Sequence, residues 1–419
     1  MKISDIRPEL FILADEVEET LRTAFNEIDR VAALNTCKVM EAFQDNRVSD
    51  ACFAGTTGYG YDDLGRETLD KIYAQVFRTE AALVRTGFVN GTHALTAAMF
   101  SLHGPGDTLL SVTGAPYDTL RSAIGISGGY HGSLKFYGVN YAQVELTSDG
   151  SPDYDAIKKR AIDTKVKAVM IQRSRGYEDR RALTVEEIGR ICSAIKVANP
   201  SACILVDNCY GEFTDTIEPT ELGADIIAGS LIKNPGGGIA PTGGYIAGKK
   251  ELVERAAMRL TTPGIGGECG STLGVNRLLF QGLFLAPHTV AQALKTAVFC
   301  AGMLERLGYE TSPKSTEKRS DIIQMIRLGS AENMKRFCAG IQAGAPVDSY
   351  VTPEPWQMPG YDCPVIMAAG SFIQGSSIEH SADGPFRPPY TVYLQGGLTY
   401  ESGRLGIMMA LTAMLQNKE

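Results

Sequence analysis

A lysine within a glycine-rich turn is the residue of this sequence that most strongly suggests chemistry. Lys233 lies in segment 230–238, which reads SLIKNPGGG and directly follows the apolar run 224–228. If that run is a strand of an open α/β sheet, Lys233 lies just beyond its carboxyl end, where such sheets bind ligands. The amine of Lys233 could then reach a carbonyl group while the Ser230 hydroxyl binds a phosphate. Taken alone, a surface lysine in a flexible loop is the more ordinary interpretation.

An aspartate upstream of Lys233 favours the chemical interpretation. Asp207 ends the apolar run 202–206, and a carboxylate there is expected to need a cationic partner because an unpaired buried charge is costly. A protonated pyridine nitrogen would be such a partner, since opposite charges about 4 Å apart at an effective dielectric of roughly 20 attract by about 4 kcal/mol. That attraction would keep the ring protonated at neutral pH and able to accept carbanion charge. The alternative is that Asp207 caps the helix that follows.

Two earlier turns could bind the other parts of a phosphorylated ring compound. The segment NGTHAL at 90–95 opens a predicted helix directly after a strand, so the amides of Gly91 and Thr92 would point at a phosphate along the helix dipole. Tyr117 follows the next predicted strand and could stack on a ring, or it could simply pack against the sheet. The sequence contains neither GxGxxG nor GxxxxGK[ST], so nucleotide-binding interpretations lose their main support.

The pattern around these residues predicts the elements that position them. Short apolar runs alternate with amphipathic stretches, which predicts right-handed crossovers and a mostly parallel sheet covered on both faces. The predicted strands are 82–89, 108–112, 166–172, 203–206, 226–228 and 243–248. The predicted helices are 92–102, 117–124, 153–162 and 184–197, the last with a capping box that begins at Thr184.

The two ends of the chain differ from this alternating part. Residues 1 to about 50 are predicted to be helical, and an irregular segment rich in glycine and tyrosine follows at 55–65. Segment 271–307 reads as one or two helices that lead to a smaller α+β unit. A chain of 419 residues also exceeds the ~250–300 residues at which single cores usually stop growing. We therefore expect an N-terminal helical segment at 1–50, a large domain at 51–295 and a small C-terminal domain at 296–419.

Composition excludes several classes of partner. The net charge is −8 and the pI is near 5.4, which disfavours nucleic acid and anionic membrane surfaces. The nine cysteines form no CxxC pair and the five histidines no HExxH motif, so neither a disulfide framework nor a metal site is expected. The amino terminus has no apolar leader, and no run of about 18 apolar residues occurs. We expect a cytoplasmic protein without a membrane span.

The order and spacing of phosphate turn, tyrosine, aspartate and lysine resemble the fold-type-I pyridoxal-5′-phosphate (PLP) enzymes. More narrowly, the chain resembles the Cys/Met-metabolism branch, and within it the aluminium-resistance or methionine-gamma-lyase-like subgroup. This implies an aspartate-aminotransferase-like α/β fold, with a mostly parallel seven-stranded sheet in a large domain and a smaller α+β C-terminal domain. The resemblance rests on GYGYDDLGR at 58–66, NGTHAL at 90–95, VDNCYGEF at 206–213, SLIKNPGGGIAPTGGYIAG at 230–248, RLTTPGIGGECG at 259–270 and QGGLTYESGRLG at 395–406.

The resemblance implies specific roles at the cofactor. Lys233 would carry PLP as a Schiff base and act as general acid and base, and Asp207 would pair with the pyridine nitrogen. Tyr117 would stack on the ring. The phosphate would be held by Gly91, Thr92 and Ser230.

The resemblance also implies a substrate ligand and an assembly. Arg404 would grip the substrate α-carboxylate, to which a bidentate guanidinium is suited, and Arg387 is the next candidate. Tyr61 and Arg66 would reach the phosphate of a neighbouring subunit, so a homodimer or homotetramer with shared active sites is expected. Either Tyr61 or Tyr117 could assist proton transfer.

The implied activity is that of a PLP-dependent carbon–sulfur lyase. It would eliminate a thiol from the β- or γ-carbon of a small sulfur-containing amino acid such as cystathionine or methionine. The chain departs from the better-studied lyases at Ile232, where they usually carry a hydroxyl residue, and in the loop after Lys233, so the substrate cannot be copied from them. The alternatives are an aminotransferase or aldolase on the same fold, or a PLP-binding stress or regulatory protein with little turnover.

Overall fold

The computed structural model describes residues 1–128, 131–358, 361 and 363–415. Within these ranges the chain forms two β-sheets with helices packed around them. The helices are Pro8–Asp45 (α1), Leu64–Val76 (α2), Gly91–Leu102 (α3), Asp118–Ile124 (α4), Tyr154–Ala161 (α5), Val185–Ala198 (α6), Lys250–Leu260 (α7), Asn276–Arg306 (α8), Ala331–Ala343 (α9) and Tyr400–Leu415 (α10). The strands are Ala81–Arg85 (β1), Thr108–Ser111 (β2), Asn140–Gln143 (β3), Val166–Gln172 (β4), Cys203–Asp207 (β5), Ile226–Ser230 (β6), Gly244–Gly248 (β7), Glu310–Ser312 (β8), Ile323–Arg327 (β9), Val365–Ala368 (β10), Ser381–Pro385 (β11) and Thr391–Gln395 (β12).

The large sheet has seven strands in the order β1-β7-β6-β5-β4-β2-β3. Strands β2 to β6 pair in parallel, whereas β7 runs antiparallel to both β6 and β1. Its central strands are almost wholly buried because helices cover both faces, and such strands are apolar throughout. The predicted α/β fold with a mostly parallel seven-stranded sheet is confirmed.

The small sheet is antiparallel and has the order β10-β11-β12-β9-β8. Successive side chains along a pleated strand point to opposite faces of the sheet, so each strand contributes residues to both sides. Residues such as Ala382 and Leu394 face a core formed with α9 and α10. Ile323 and Tyr393 belong instead to a small cluster that includes Tyr177 and lies on the other side.

Helix α8 joins the two cores. Its first half contributes Leu279 and Leu283 to the core of the large sheet, and its second half contributes Phe299 and Met303 to the core of the small one. The domain boundary that we place after residue 295 therefore falls inside this helix. Helix α1 fills most of the predicted helical segment 1–50 and packs along α8.

Several elements differ from the sequence-based predictions. Strand β1 ends at Arg85, before a turn, and not at residue 89. Helices α2 and α7 and strand β3 were not predicted. Strand β3 was not predicted because it is a partly exposed edge strand without an apolar run. The capping box at Thr184 is confirmed, since Thr184 Oγ1 accepts a hydrogen bond from the Glu187 amide and the Glu187 carboxylate accepts one from the Thr184 amide.

None of the helices in the described ranges combines the length and the apolar character that a membrane span needs.

Two glycines fix the loop that carries Lys233 against α8. A Cβ built on Gly282 of α8 would lie 2.4 Å from the carbonyl oxygen of Gly236, and one built on Gly236 would lie 1.7 Å from the carbonyl oxygen of Leu231. Thr289 of the same helix donates a hydrogen bond to the Gly237 carbonyl. Backbone thus packs directly against backbone where the Lys233 loop meets α8.

We expect Gly282→Ala to lower the thermal unfolding midpoint. The added methyl group favours the helix by about 1 kcal/mol, but overpacking against an immobile backbone costs roughly 1–3 kcal/mol, and the 2.4 Å approach places this site at the upper end of that range. Gly87→Ala is the control, because a Cβ there meets nothing within 4 Å, and its midpoint should stay close to that of the wild type. A midpoint for Gly282→Ala at or above the control would contradict this packing.

Candidate active site

A cavity of about 370 Å³ lies where the large sheet faces the small one. The large sheet contributes residues that follow the carboxyl ends of its central strands, namely Gln172, Asp207 and Lys233, and the small sheet contributes Asp383 and Gln395. Gln172 and Asp207 lie side by side in the cavity because they are paired residues at the ends of β4 and β5. Because β4, β5 and β6 run parallel, their carboxyl ends share one edge of the sheet, and their polar ends open into one space.

Lys233 is held by an aromatic ring. Its Nζ atom lies 3.9 Å from the centroid of the Tyr210 ring, a geometry that favours the ammonium through cation–π attraction. Tyr210 has a φ of 71°, in the left-handed region that bulky residues rarely adopt, at a cost of about 1–3 kcal/mol. The Tyr210 hydroxyl accepts a hydrogen bond from Ser377 at 3.3 Å. Strain of this kind is typical of functional sites, and here it turns the ring towards the lysine.

Asp207 is buried beside Lys233. One oxygen of its carboxylate accepts a hydrogen bond from the Cys209 amide at 3.1 Å. Burial raises the pKa of Asp207, and the Lys233 charge opposes that rise. Burial also opposes protonation of Lys233, but the surroundings formed by Cys209, Tyr210 and Asp207 outweigh it and raise the Lys233 pKa. The raised pKa of Lys233 means that its amine is protonated at neutral pH before a cofactor binds.

The N-terminus of α3 and the end of β6 form a small cradle next to this pair. A Cβ on Gly91 would lie 3.1 Å from Ser230 Cβ and 3.3 Å from Cys209 Sγ, so only glycine leaves the space open. Thr92 Oγ1 lies 2.9 Å from the hydroxyl oxygen of Tyr117. Ser230 is buried, and its hydroxyl has no hydrogen-bond partner within the described ranges. A buried hydroxyl without a partner beside a helix N-terminus suits an anion such as a phosphate.

These residues fit PLP. The cradle suits its phosphate, the buried carboxylate of Asp207 suits its pyridinium nitrogen, and the amine of Lys233 suits its aldehyde carbon. Tyr117 lines the same cavity, and burial raises the pKa of its hydroxyl, so the hydroxyl stays protonated at neutral pH. Of the residues expected at the site, the structure brings together Lys233, Asp207, Tyr117, Gly91, Thr92 and Ser230.

Arg404 does not lie at this cavity, which corrects the role expected for it. It belongs to helix α10, where its guanidinium pairs with Glu18 and, at 2.7 Å, with Asp15 of α1. An arginine so engaged ties the last helix to the first. Arg387 does line the cavity, on the loop after β11, and its guanidinium forms no ion pair with any residue that the structure describes.

Arg66 is also placed differently from the expectation. It lies in α2 and is 2% exposed, and its guanidinium donates to the carbonyls of Gly60, Gly270 and Glu268. It therefore fastens the glycine- and tyrosine-rich segment to its own chain and is not free to reach a phosphate elsewhere. Tyr61 lies outside the cavity lining and is 55% exposed, with its ring stacked on that of Tyr59. A contact of Tyr61 with a second subunit stays a prediction.

Three cavity residues were missed by the sequence analysis. Gln172 accepts a hydrogen bond from the Tyr117 amide at 3.1 Å, and it could have been found because it ends a predicted strand just as Asp207 does. Tyr210 lies within the motif VDNCYGEF, but the sequence does not predict that a tyrosine adopts a left-handed backbone conformation. Asp383 lies in a strand of the small sheet, far from the motifs.

Comparison with known proteins places the chain among carbon–sulfur lyases and their relatives. A family model described as methionine gamma-lyase matches residues 11–415. The uncharacterised protein YnbB of Bacillus subtilis is 48% identical over 406 residues, which cover 97% of this chain and 96% of that protein. A solved carbon–sulfur lyase involved in aluminium resistance from Clostridium novyi is 52% identical, with a TM-score of 0.95 over 98% of this chain and 97% of that one. The PLP-dependent protein YhfS of Escherichia coli shares the fold alone, at 16% identity and a TM-score of 0.61 over 91% of this chain and 95% of that one.

The unpartnered hydroxyl of Ser230 yields a test of the cradle. In the ligand-free protein, Ser230→Ala should leave the unfolding midpoint unchanged or raise it, because burying a hydroxyl without a partner costs about 1–3 kcal/mol. The same variant should bind inorganic phosphate more weakly, as measured by calorimetric titration.

Ser111→Ala is the matched control for this test. Ser111 is equally buried at the end of β2, but its hydroxyl donates to the Gly114 carbonyl at 2.6 Å. Its loss should destabilise the protein by about 1 kcal/mol without changing phosphate affinity. A larger destabilisation at Ser230 than at Ser111, or unaltered phosphate binding in Ser230→Ala, would refute the cradle.

Proposed function

The chain belongs to the methionine gamma-lyase family, and from this premise we propose that it is a PLP-dependent carbon–sulfur lyase acting on a sulfur-containing amino acid. The observation that carries the proposal is the buried carboxylate of Asp207 at the end of β5 together with the half-buried amine of Lys233 beyond the end of the neighbouring parallel strand β6. The open cradle at Gly91 and Ser230 adjoins that pair. A protein that only bound PLP would not need a base beside the α-carbon of a substrate.

Each of these residues has a defined task in the proposed site. PLP supplies an electron sink that stabilises negative charge on the α-carbon of a bound amino acid. Asp207 would keep a proton on the ring nitrogen, because a pair of opposite charges about 4 Å apart in a partly polar interior is worth about 4 kcal/mol. The amides at the start of α3 and the hydroxyl of Ser230 would hold the phosphate and so fix the position of the ring.

Lys233 is the group that moves protons. Its Nζ faces the cavity next to Asp207, where a free amine can take the α-proton of the substrate and return a proton later. The Tyr210 ring limits where the amine can travel, since it covers one side of Nζ at 3.9 Å. The hydroxyl of Tyr117 is anchored to Thr92, which suits holding the ring better than shuttling protons.

The substrate carboxylate needs a cation, and Arg387 is our candidate. Its guanidinium lines the cavity, its side chain is exposed, and it is not committed to an acid. A planar guanidinium can donate two parallel hydrogen bonds to one carboxylate. The proposed substrate is thus a free amino acid, held by Arg387 at one end of the reacting centre and by Lys233 at its α-carbon.

The assembly also belongs to this proposal. We expect a homodimer or homotetramer, with the stacked and exposed rings of Tyr59 and Tyr61 against a second subunit. Arg66 is buried and its two terminal guanidinium nitrogens donate to carbonyls of its own chain, so we do not expect it to take part in that contact.

A product assay tests the proposed activity. The purified protein supplied with PLP should convert cystathionine or methionine into a thiol, ammonia and a 2-keto acid in equal amounts, with one water consumed. An aminotransferase would instead yield a keto acid without thiol and only in the presence of an acceptor keto acid. An aldolase would split a carbon–carbon bond, and a binding protein would yield no product, so either result would refute a lyase.

Two arginine variants complete this assay. Arg387→Gln should raise KM by about ten- to a hundredfold, because charge-assisted hydrogen bonds contribute roughly 1.5–3 kcal/mol each. Arg404→Gln is the matched control. It should leave KM unchanged and lower stability by only about 1 kcal/mol, since it loses partly exposed ion pairs. If Arg404→Gln raised KM and Arg387→Gln did not, Arg404 would be the residue that binds the substrate carboxylate.

A further inference from the structure

A second polar group faces the cavity from the small sheet, away from Lys233. Ser381 and Asp383 alternate along β11, so both project from the same face, and their partners across the strand pair are Gln395 and Tyr393 of β12. The intervening Ala382 and Leu394 point into the core on the other side. Ser381, Asp383 and Gln395 line the same cavity as Lys233. None of them has a task in the mechanism above.

The Asp383 carboxylate is buried without a cation. Gln395 Nε2 lies 3.3 Å from each of its oxygens, and the side chain of Tyr177 is close enough to influence its pKa. Both of these groups are neutral, and no ion pair to Asp383 occurs among residues 1–128, 131–358, 361 and 363–415. Burial raises the pKa of Asp383 to about 7, while the side chains of Tyr177 and Gln395 oppose that rise. A buried carboxylate in such surroundings is stabilised by a bound cation.

Acceptor atoms without partners surround the carboxylate. Gln395 Oε1, Ser381 Oγ and Ser376 Oγ are buried and lack a hydrogen-bond partner within the described part of the chain, and all three residues line the cavity. Native structures rarely bury such atoms unsatisfied unless a ligand or water supplies the partner. The amide carbonyl can only accept, whereas each hydroxyl can accept or donate, so a ligand group that donates hydrogen bonds would satisfy all three atoms.

Tyrosine rings enclose this group and connect it to the reacting centre. Tyr177 lies 5.7 Å from Tyr361 and 5.3 Å from Tyr393, measured between ring centroids. Tyr210, whose ring covers Lys233, packs with Tyr177 against the cluster that contains Tyr393. Aromatic faces beside a carboxylate favour an organic cation. Because Lys233, Tyr210 and Asp383 line one cavity, a ligand that extends from Lys233 through that cavity can reach Asp383.

We propose that Asp383, Gln395 and Ser381 bind an ammonium group at the far end of the substrate. The preferred substrate is then an amino acid whose departing thiol half carries a primary amine. This inference rests on the proposed lyase function and narrows its substrate class. A primary ammonium has three N–H donors, which match one carboxylate oxygen and two neutral acceptors at this wall of the cavity.

Two isosteric substrates test the proposal. S-(2-aminoethyl)-L-cysteine ends in an ammonium, and S-propyl-L-cysteine ends in a methyl group at the same position. Their homocysteine counterparts serve in the same way if the thiol leaves from the γ-carbon. The wild-type enzyme should show a kcat/KM that is at least about tenfold higher for the amine of each pair, as expected for charge-assisted hydrogen bonds.

Asp383→Asn keeps the shape of the side chain and removes its charge. It should lower kcat/KM for the aminoethyl substrate by about ten- to a hundredfold and change that for the propyl substrate by less than about threefold, so that the preference disappears. Glu178→Gln is the matched control, because Glu178 lines the same cavity but pairs with Arg121 at 2.8 Å. This variant should keep the preference of the wild type. The propyl substrate also reports whether Asp383→Asn is folded and active.

The outcomes separate this proposal from the one on which it rests. Equal wild-type turnover of both compounds would overturn the ammonium site and leave the lyase intact, whereas release of no thiol from either would overturn both. An equal loss for both substrates in Asp383→Asn would also overturn it. So would a dependence on potassium that this variant abolishes, because the group would then bind a metal cation.

Discussion

The burial of the Asp207 carboxylate at the end of β5 is the constraint on which the rest of this site depends. A carboxylate buried alone there costs several kcal/mol, and the charge of the half-buried Lys233, beyond the end of the neighbouring strand, reduces that cost. Parallel strands achieve this, because β5 and β6 run side by side and end at the same edge. The glycine contact between α8 and the Lys233 loop fixes the position of that loop.

Sequence analysis predicted the site residues that lie at the ends of strands. Lys233, Asp207 and Ser230 follow apolar runs, and each lies where the rule for open α/β sheets places ligand-binding residues. Apolar runs also predicted six strands and one or two helices after them, whereas the seven-stranded sheet was expected from the family resemblance. Strand β3 and helix α2 were missed, because one is a partly exposed edge strand and the other begins within a glycine-rich segment.

Residues whose role depends on tertiary contacts could not be predicted in this way. Arg404 belongs to a motif that suggested a substrate ligand, yet it faces two acids of α1. The terminal guanidinium nitrogens of Arg66 donate hydrogen bonds to carbonyls of its own chain. Asp383 gains its significance from the pairing of β11 with β12 and from acceptors without partners around it. The large sheet thus determines the chemistry, whereas the small sheet supplies the wall that a substrate must fit.

The central claim is that Lys233, the half-buried lysine near Asp207, is the residue that binds PLP. Reduction of the PLP-loaded protein with borohydride fixes the cofactor to the amine that holds it, and mass spectrometry of the digested protein then identifies that residue. The account predicts a single labelled peptide that contains Lys233, with loss of the visible absorption band as the label forms. A cofactor fixed to another lysine, such as the partly exposed Lys249 that pairs with Asp225, would contradict it.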